Sequence, residues 1–361
     1  VSVPTAVIIK GEKYWLLKKK KRNNMENIRI AVDAMGSDNA PYAEVEGTVL
    51  AVNEGYGEAI LVGKEEVLKR ELKKYRLHYP ERITIQNATE VIEMRDLPAI
   101  SVRKKKDSSI MVAVGLVKEG KADCLISAGN TGAVVCATSL EWGLIKNVER
   151  PGIAIIFPTL EGSCLLIDVG ANIDPKPCHL YQYAIMGVIY SKYLLKKDNP
   201  RVGLLNVGEE ETKGTDFIKE THRLLSQSRL NFVGNVEGGD IFKGKADVIV
   251  CDGFVGNVAL KMSESLAQAL IEFFKRHIEK SNLAKLGALL LKGTFKNLRR
   301  EIDYAEYGGA PLLGVNGICI ICHGASSYWA IKNAIKFAYF SVKNNIKKLI
   351  EEGIEEFGGL R

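Results

Sequence analysis

A chain of 361 residues, 46% hydrophobic and 26% charged, is long enough for one large domain or two and has the composition of a soluble globular protein. The formal net charge of +7 is concentrated at one end: residues 1–24 account for +6, which leaves residues 25–361 nearly neutral and removes the electrostatic case for nucleic-acid binding. No apolar run approaches the ~20 residues of a membrane-spanning helix, and seven dispersed Cys fit reduced cytosolic thiols better than a disulfide framework.

Residues 1–24 place an apolar run (Ala6 to Ile9) ahead of a basic run, the reverse of a secretory signal. Met25 sits just before the first strong strand. The segment is therefore set apart as a basic extension, and residues 25–361 read as a single α/β domain. Residues 28–33 predict a buried strand ending in Asp33, with a loop holding Gly36 and Ser37 before a helix from about residue 42. Residues 58–63 and 82–86 predict further strands, and 107–119 a helix. The β-α-β-α order predicts a mostly parallel sheet in a three-layer α/β/α fold. Residues 152–157 and 163–168 predict a hairpin, so part of the sheet is antiparallel; its second strand ends in Asp168, Gly170 and Asn172. A helix over 178–197, a strand over 201–206 ending in Asn206, a loop with Lys213 and a helix over 215–227 follow. A strand over 231–235, a long helix over 258–280, a last strand over 316–322 and a C-terminal helix over 328–348 complete the pattern.

Two stretches repeat. Residues 120–137 (GKADCLISAGNTGAVVCA) and 244–261 (GKADVIVCDGFVGNVALK) align without a gap. Each predicts a short strand, a Gly-x-x-Gly turn and a helix start, where free backbone N–H groups stabilise an anion. Both loops are expected to face one crevice. Between Lys275 and Arg300 stand eight Lys or Arg and one acid, mixed with Leu283, Leu286, Leu289 and Leu290. This reads as a protruding basic amphipathic helical hairpin within 262–302. It serves either as a dimer element or as a docking surface for an acidic partner or an anionic membrane, with Lys275, Arg276, Lys285, Leu289, Lys292 and Lys296 as the docking candidates.

Three motifs fail on context. Gly239-x-x-x-x-Gly244-Lys245 lacks the hydroxyl residue of a P-loop and precedes a strand. Cys319-Ile320-Ile321-Cys322-His323 spells a haem-attachment string inside an apolar strand. No G-x-G-x-x-G follows a strand, and the five His show no metal-ligand spacing.

The segments IRIAVDAMGSDNAP (28–41), LISAGNTGA (125–133), LLIDVGAN (165–172), LLNVGEEETKG (204–214), VCDGFVGNVALK (250–261) and DYAEYGGAPLLGVNG (303–317) resemble the phosphate acyltransferase family of bacterial phospholipid synthesis, the PlsX family. The resemblance spans nearly all of residues 28–345. It implies transfer of a long acyl group from acyl carrier protein to inorganic phosphate, with no metal or organic cofactor. It also implies a homodimer in the cytoplasm, peripherally bound at the inner membrane face, whose product feeds a membrane glycerol-3-phosphate acyltransferase. The fold it implies is similar to that of phosphotransacetylases and isopropylmalate dehydrogenases. The alternatives are a phosphotransacetylase-like reaction on acyl-CoA and a non-catalytic membrane scaffold.

On that reading Gly129, Asn130, Thr131 and Gly132 cradle phosphate, with Gly256 and Asn257 opposite. Asn172, Lys213 and His323 are the candidates on the carbonyl side, and Asp33, Gly36, Ser37, Asp168 and Asn206 complete the pocket.

Overall fold

The computed structural model describes residues 27–295 and 308–357. The extension at 1–24 and docking candidate Lys296 lie outside the described residues.

The first half of the chain supplies β1 (Arg29–Asp33), α1 (Tyr42–Glu54), β2 (Glu58–Gly63), α2 (Glu65–Leu72), β3 (Ile83–Asn87), α3 (Pro98–Lys104), α4 (Ser109–Lys118), β4 (Cys124–Ser127) and α5 (Thr131–Trp142). The middle supplies β5 (Gly152–Thr159), β6 (Gly162–Ile167), α6 (Pro177–Leu194), β7 (Val202–Leu205), α7 (Asp216–Ser226), β8 (Phe232–Val236), α8 (Asp240–Lys243) and β9 (Val248–Val250). Then come α9 (Gly253–Glu279), α10 (Asn282–Leu290), β10 (Ala310–Leu313), β11 (Cys319–Ile321), α11 (Tyr328–Lys343) and α12 (Ile346–Phe357).

The strands form one sheet in the order β3-β2-β1-β4-β11-β10-β5-β6-β9-β7-β8. Side chains alternate across it, as strand geometry requires. Ala31, Leu125, Leu166 and Ile249 point to one face, under α4, α5 and the start of α9. Val32 and Ile126 point to the other face beneath α1 and α11, and Leu165 and Val248 beneath α6 and α12. The three expected layers are present.

The order hides a two-fold. Read inward from each side, β2-β1-β4-β11-β10 matches β8-β7-β9-β6-β5. Each half has three parallel pairings followed by an antiparallel one, and the halves meet at the antiparallel β10–β5 pair. The sequence repeat is the visible part of this symmetry. In the first copy Arg29 binds Asp123 through its backbone N–H at 2.7 Å and the Gly120 carbonyl through Nη2 at 2.7 Å. In the second, Arg201 binds Asp247 through its backbone N–H at 3.0 Å and the Gly244 carbonyl through Nη2 at 2.7 Å. The Gly-Lys-Ala-Asp string thus ties the start of one strand to the start of its neighbour in each half.

Three expectations need correction. The strand expected over 316–322 is shorter, β11 (Cys319–Ile321), and an unforeseen strand, β10 (Ala310–Leu313), precedes it, the chain turning between them at Gly314, φ +93°. The C-terminal helix breaks at Asn345, which adopts φ +51° between α11 and α12. The long helix starts at Gly253, since the Asp252 side chain accepts from the Val255 N–H and so caps it.

Candidate active site

The two repeat bends do not leave the sheet on the same edge. The strands from β3 to β11 run one way, and those from β6 to β8 run the other. Gly129 and Gly256 therefore sit at opposite edges, and the expectation of one shared crevice is not met: the first bend lines the cleft, and Gly256 and Asn257 do not. What joins the first bend is the loop after β6. Four strand steps separate β4 from β6, and at roughly 20–25° of twist per step the sheet turns that loop toward the helix leaving β4. Between them opens a cleft of about 260 Å³. One wall is α5, with Thr131, Gly132, Val135, Cys136 and Ser139; the other is Arg150 and Pro151 with Gly170, Ala171 and Asn172.

The α5 wall offers donors of the kind that suit an anion. Asn130 caps the helix, its Oδ1 accepting from the Ala133 N–H at 3.0 Å. Its Nδ2 donates to the carbonyls of Glu93, Met94 and Asp96 at 3.1–3.2 Å. The Asn130 side chain is thereby committed to holding the neighbouring strap, and the anion donors left are the backbone N–H groups of exposed Thr131 and Gly132. Ser139 adds a buried hydroxyl without a hydrogen-bond partner. Gly129 is buried against the loop after β1: a Cβ on Gly36 would lie 2.7 Å from the Gly129 Cα and 2.6 Å from Asp33 Oδ2. Only glycine allows that approach.

The opposite wall rests on Asp168. Its Oδ1 accepts from the N–H groups of Ile153, Gly170 and Ala171 at 2.9–3.1 Å, and its Oδ2 accepts from Asn172 at 2.7 Å. Burial pushes the carboxyl up, against the pull of those four donors. The Asn172 Nδ2 donates to the Pro151 carbonyl at 2.6 Å and to Tyr183 Oη at 2.7 Å. Asn172 thus lines the cleft with its donors already engaged. Gly253 and Gly256 are buried behind this loop; a Cβ on Gly256 would collide with the Asp168 carbonyl. Asn257 packs beside Gly170, its Cβ 3.8 Å from where a glycine Cβ would stand.

Arg150, exposed beside Pro151, is a further candidate in the cleft wall that the sequence patterns do not single out. It is the one cation in the cleft wall and forms no ion pair among the described residues. Its signal was faint: an Arg-Pro step directly before a buried strand.

The other candidates stand apart from the cleft. Lys213 is exposed after β7, where its carbonyl accepts from Asn206 Nδ2 at 3.2 Å. His323 is exposed after β11 on the opposite edge, its Nδ1 accepting from the Ala325 N–H at 3.1 Å. Ser37 accepts from the Asn39 N–H at 3.3 Å in the loop after β1. Asp33, buried, accepts from Ser127 Oγ at 2.6 Å; burial pushes its carboxyl up, opposed by that hydrogen bond. Among the described residues Glu149, Cys178 and His179 cluster closely enough for a metal. However, His179 Nδ1 accepts from the Lys176 N–H at 2.9 Å, which leaves the proton on Nε2 facing Glu149 and no lone pair there for an ion.

Beside Asp33 lies Glu44, buried, with neither oxygen hydrogen-bonded. Burial pushes its pKa from the ordinary 4.5 up to about 7, opposed by the nearby Ser37 hydroxyl and helped to a smaller extent by the Asp33 charge. A folded-state pKa above the unfolded one means that stability is full below the unfolded value and is lost as pH rises to the folded value, here from 4.5 to about 7. Glu44→Gln should therefore leave urea stability at pH 4 nearly unchanged and raise it at pH 8 by on the order of 3 kcal/mol. A parallel pH profile for the two proteins would refute this.

The chain matches the family described as "Fatty acid synthesis protein" over residues 28–349. It is 50% identical over 329 residues to the phosphate acyltransferase of Geotalea uraniireducens, covering 91% of this chain and 95% of that one. It is 52% identical over 331 residues to the phosphate acyltransferase of Desulfitobacterium hafniense strain DCB-2, covering 91% and 98%. Among solved structures, a phosphotransacetylase from Streptococcus pyogenes superposes with a TM-score of 0.61 at 18% identity, covering 91% of this chain and 99% of that one. The EutD phosphotransacetylase from Staphylococcus aureus gives 0.56 at 16%, covering 91% and 98%. These two share the fold. On the family match and the half-identical relatives, the chain belongs to the phosphate acyltransferase family, the PlsX family that its strand-end motifs resemble.

Proposed function

We propose that the cleft transfers a long-chain acyl group from the thioester of acyl carrier protein to inorganic phosphate, giving acyl phosphate for phospholipid synthesis and a free carrier thiol. The observation that carries this reading is the pair of unpaired N–H groups at Thr131 and Gly132 across from the unpaired Arg150 guanidinium. Phosphate seated between them is fixed for attack, which removes much of the entropic barrier. A phosphate oxygen adds to the thioester carbonyl, Arg150 stabilises the oxyanion, and the C–S bond breaks as the thiolate leaves. Thiolate is a good leaving group, so no strong general acid is needed. The expected assay result is acyl phosphate, trapped as its hydroxamate, in amounts that match released thiol and require added phosphate. Free fatty acid at the same rate without phosphate would refute the reading. Equal use of long-chain acyl-CoA would move the donor away from the carrier.

The α9–α10 hairpin is proposed as the contact of a homodimer, with its cations turned to an anionic membrane surface and a membrane glycerol-3-phosphate acyltransferase taking the product there. In support, Met262, Leu266, Phe273, Phe274, Leu283 and Leu289 are 54–80% exposed, far more apolar surface than a monomer usually keeps. Lys275, Arg276, Lys285 and Lys292 are exposed along it. Among the described residues no helix is long and apolar enough to cross a membrane. Leu289→Glu should convert the dimer to a monomer in sedimentation velocity; an unchanged sedimentation coefficient would remove the hairpin from the subunit contact.

A further inference from the structure

The strap and helix over residues 93–104 form a second surface that the sequence reading did not single out. Helix α3 has seven residues, and its apolar side chains do not all turn inward. Leu97 is 67% exposed and Ile100 49%. Around them stand Arg95, Arg103 and Lys104, all exposed and without an ion pair among the described residues. The neighbouring cations differ: Lys105 is paired with Asp96 at 2.6 Å, and Lys118 with Glu141 at 2.8 Å. The acids of the same stretch are Glu93, exposed, and Asp96, engaged by Lys105, so the rim is net positive, and an apolar centre with such a rim fits the surface of an acidic protein.

The position of this surface says which acidic protein. Pro98 packs on Gly132, so closely that a Cβ there would lie 2.7 Å from the proline ring. Asn130 ties the carbonyls of Glu93, Met94 and Asp96 to the start of α5. The surface thus borders the residues whose N–H groups line the cleft, and a protein seated on it delivers a tethered acyl thioester a short distance away. The hairpin carries cations too, but its long apolar face suits a second copy of the chain.

Resting on the reading of the cleft as an acyl-transfer site, we propose that Arg95, Leu97, Ile100, Arg103 and Lys104 form the docking surface for the acidic acyl carrier protein. Docking there also presses on the strap that Asn130 holds, so carrier seating and the geometry of the anion site are mechanically linked.

The test is direct binding, independent of turnover. Carrier acylated through a non-hydrolysable amide is titrated into the full chain and followed by fluorescence anisotropy at low and high salt. Arg103→Glu with Lys104→Glu should raise Kd at least tenfold at low salt and flatten the salt dependence. The milder Arg103→Ala with Lys104→Ala should shift Kd the same way. Lys285→Glu with Lys292→Glu on the hairpin should change Kd less than twofold. The proposal is overturned if the α3 pairs bind like the parent protein, if the hairpin pair shows the loss instead, or if the α3 pairs alter sedimentation and so mark a subunit contact. A parent protein that binds carrier yet makes no acyl phosphate would sink the proposed reaction and leave this surface standing.

Discussion

Arg150→Ala should lower kcat/KM for phosphate by roughly 10²–10³-fold, the usual effect of removing one oriented donor from a developing oxyanion. The fold should hardly register the change. Arg150 is exposed, makes no ion pair among the described residues and lies outside every described strand and helix, so the unfolding free energy from a urea titration should move by no more than ~0.5 kcal/mol. Arg150→Lys separates charge from shape. A lysine restores the positive charge but not the planar fork that grips two phosphate oxygens. It should recover part of the phosphate KM and less of kcat. A phosphate titration of all three proteins decides the matter. Rates for Arg150→Ala within threefold of the parent protein would show that the anion is held by the α5 N–H groups alone.

That Arg150 does not stand out in the sequence as a candidate has a physical reason. Motif reading follows strand ends, because backbone donors and small polar side chains gather there. Arg150 precedes a strand instead of following one, and reaches the cleft because the sheet twists β6 and the start of β5 toward α5. Twist across eleven strands is not written in any local pattern. The same limit explains Lys213 and His323: each follows a strand end as expected, but the two strands point to opposite edges of the sheet. Likewise the repeat at 120 and 244 was plain, and the Arg–Asp–Gly ties in each copy give it a structural basis. Its two halves diverged in use. The first helix start opens on the cleft; in the second, Gly253 and Gly256 are buried against Asp168 and its loop, where the Gly253 N–H donates to the Asn172 carbonyl at 2.8 Å. Local hydrophobic patterns and turn residues were enough for the layers, the hairpin of β5 and β6 and the long helix. They were not enough for β10, four residues containing a proline, or for α3, where exposed Leu97 just before the helix and Ile100 within it blur the helical stripe.

Asp168→Ala is expected to be the most damaging single change to the fold. The carboxylate is fully buried and satisfies four backbone N–H groups. Removing it strands all four, at ~1–3 kcal/mol for each buried donor left unpaired. Even the low end of that range, about 4 kcal/mol, approaches the whole stability of an ordinary domain. Asp168→Asn tests the cause. Its carbonyl oxygen can replace Oδ1 for Ile153, Gly170 and Ala171, but its amide nitrogen then opposes the Asn172 N–H. Asparagine should therefore keep most of the stability in a urea titration and still displace Asn172, whose side chain ties the loop to Pro151 and Tyr183. Because Gly170, Ala171 and Asn172 form the wall facing Thr131, kcat should fall in Asp168→Asn by more than its stability loss explains. If alanine were tolerated within ~1 kcal/mol, water would have to reach the four stranded donors, and the wall facing α5 would owe its shape to packing of the loop on α9.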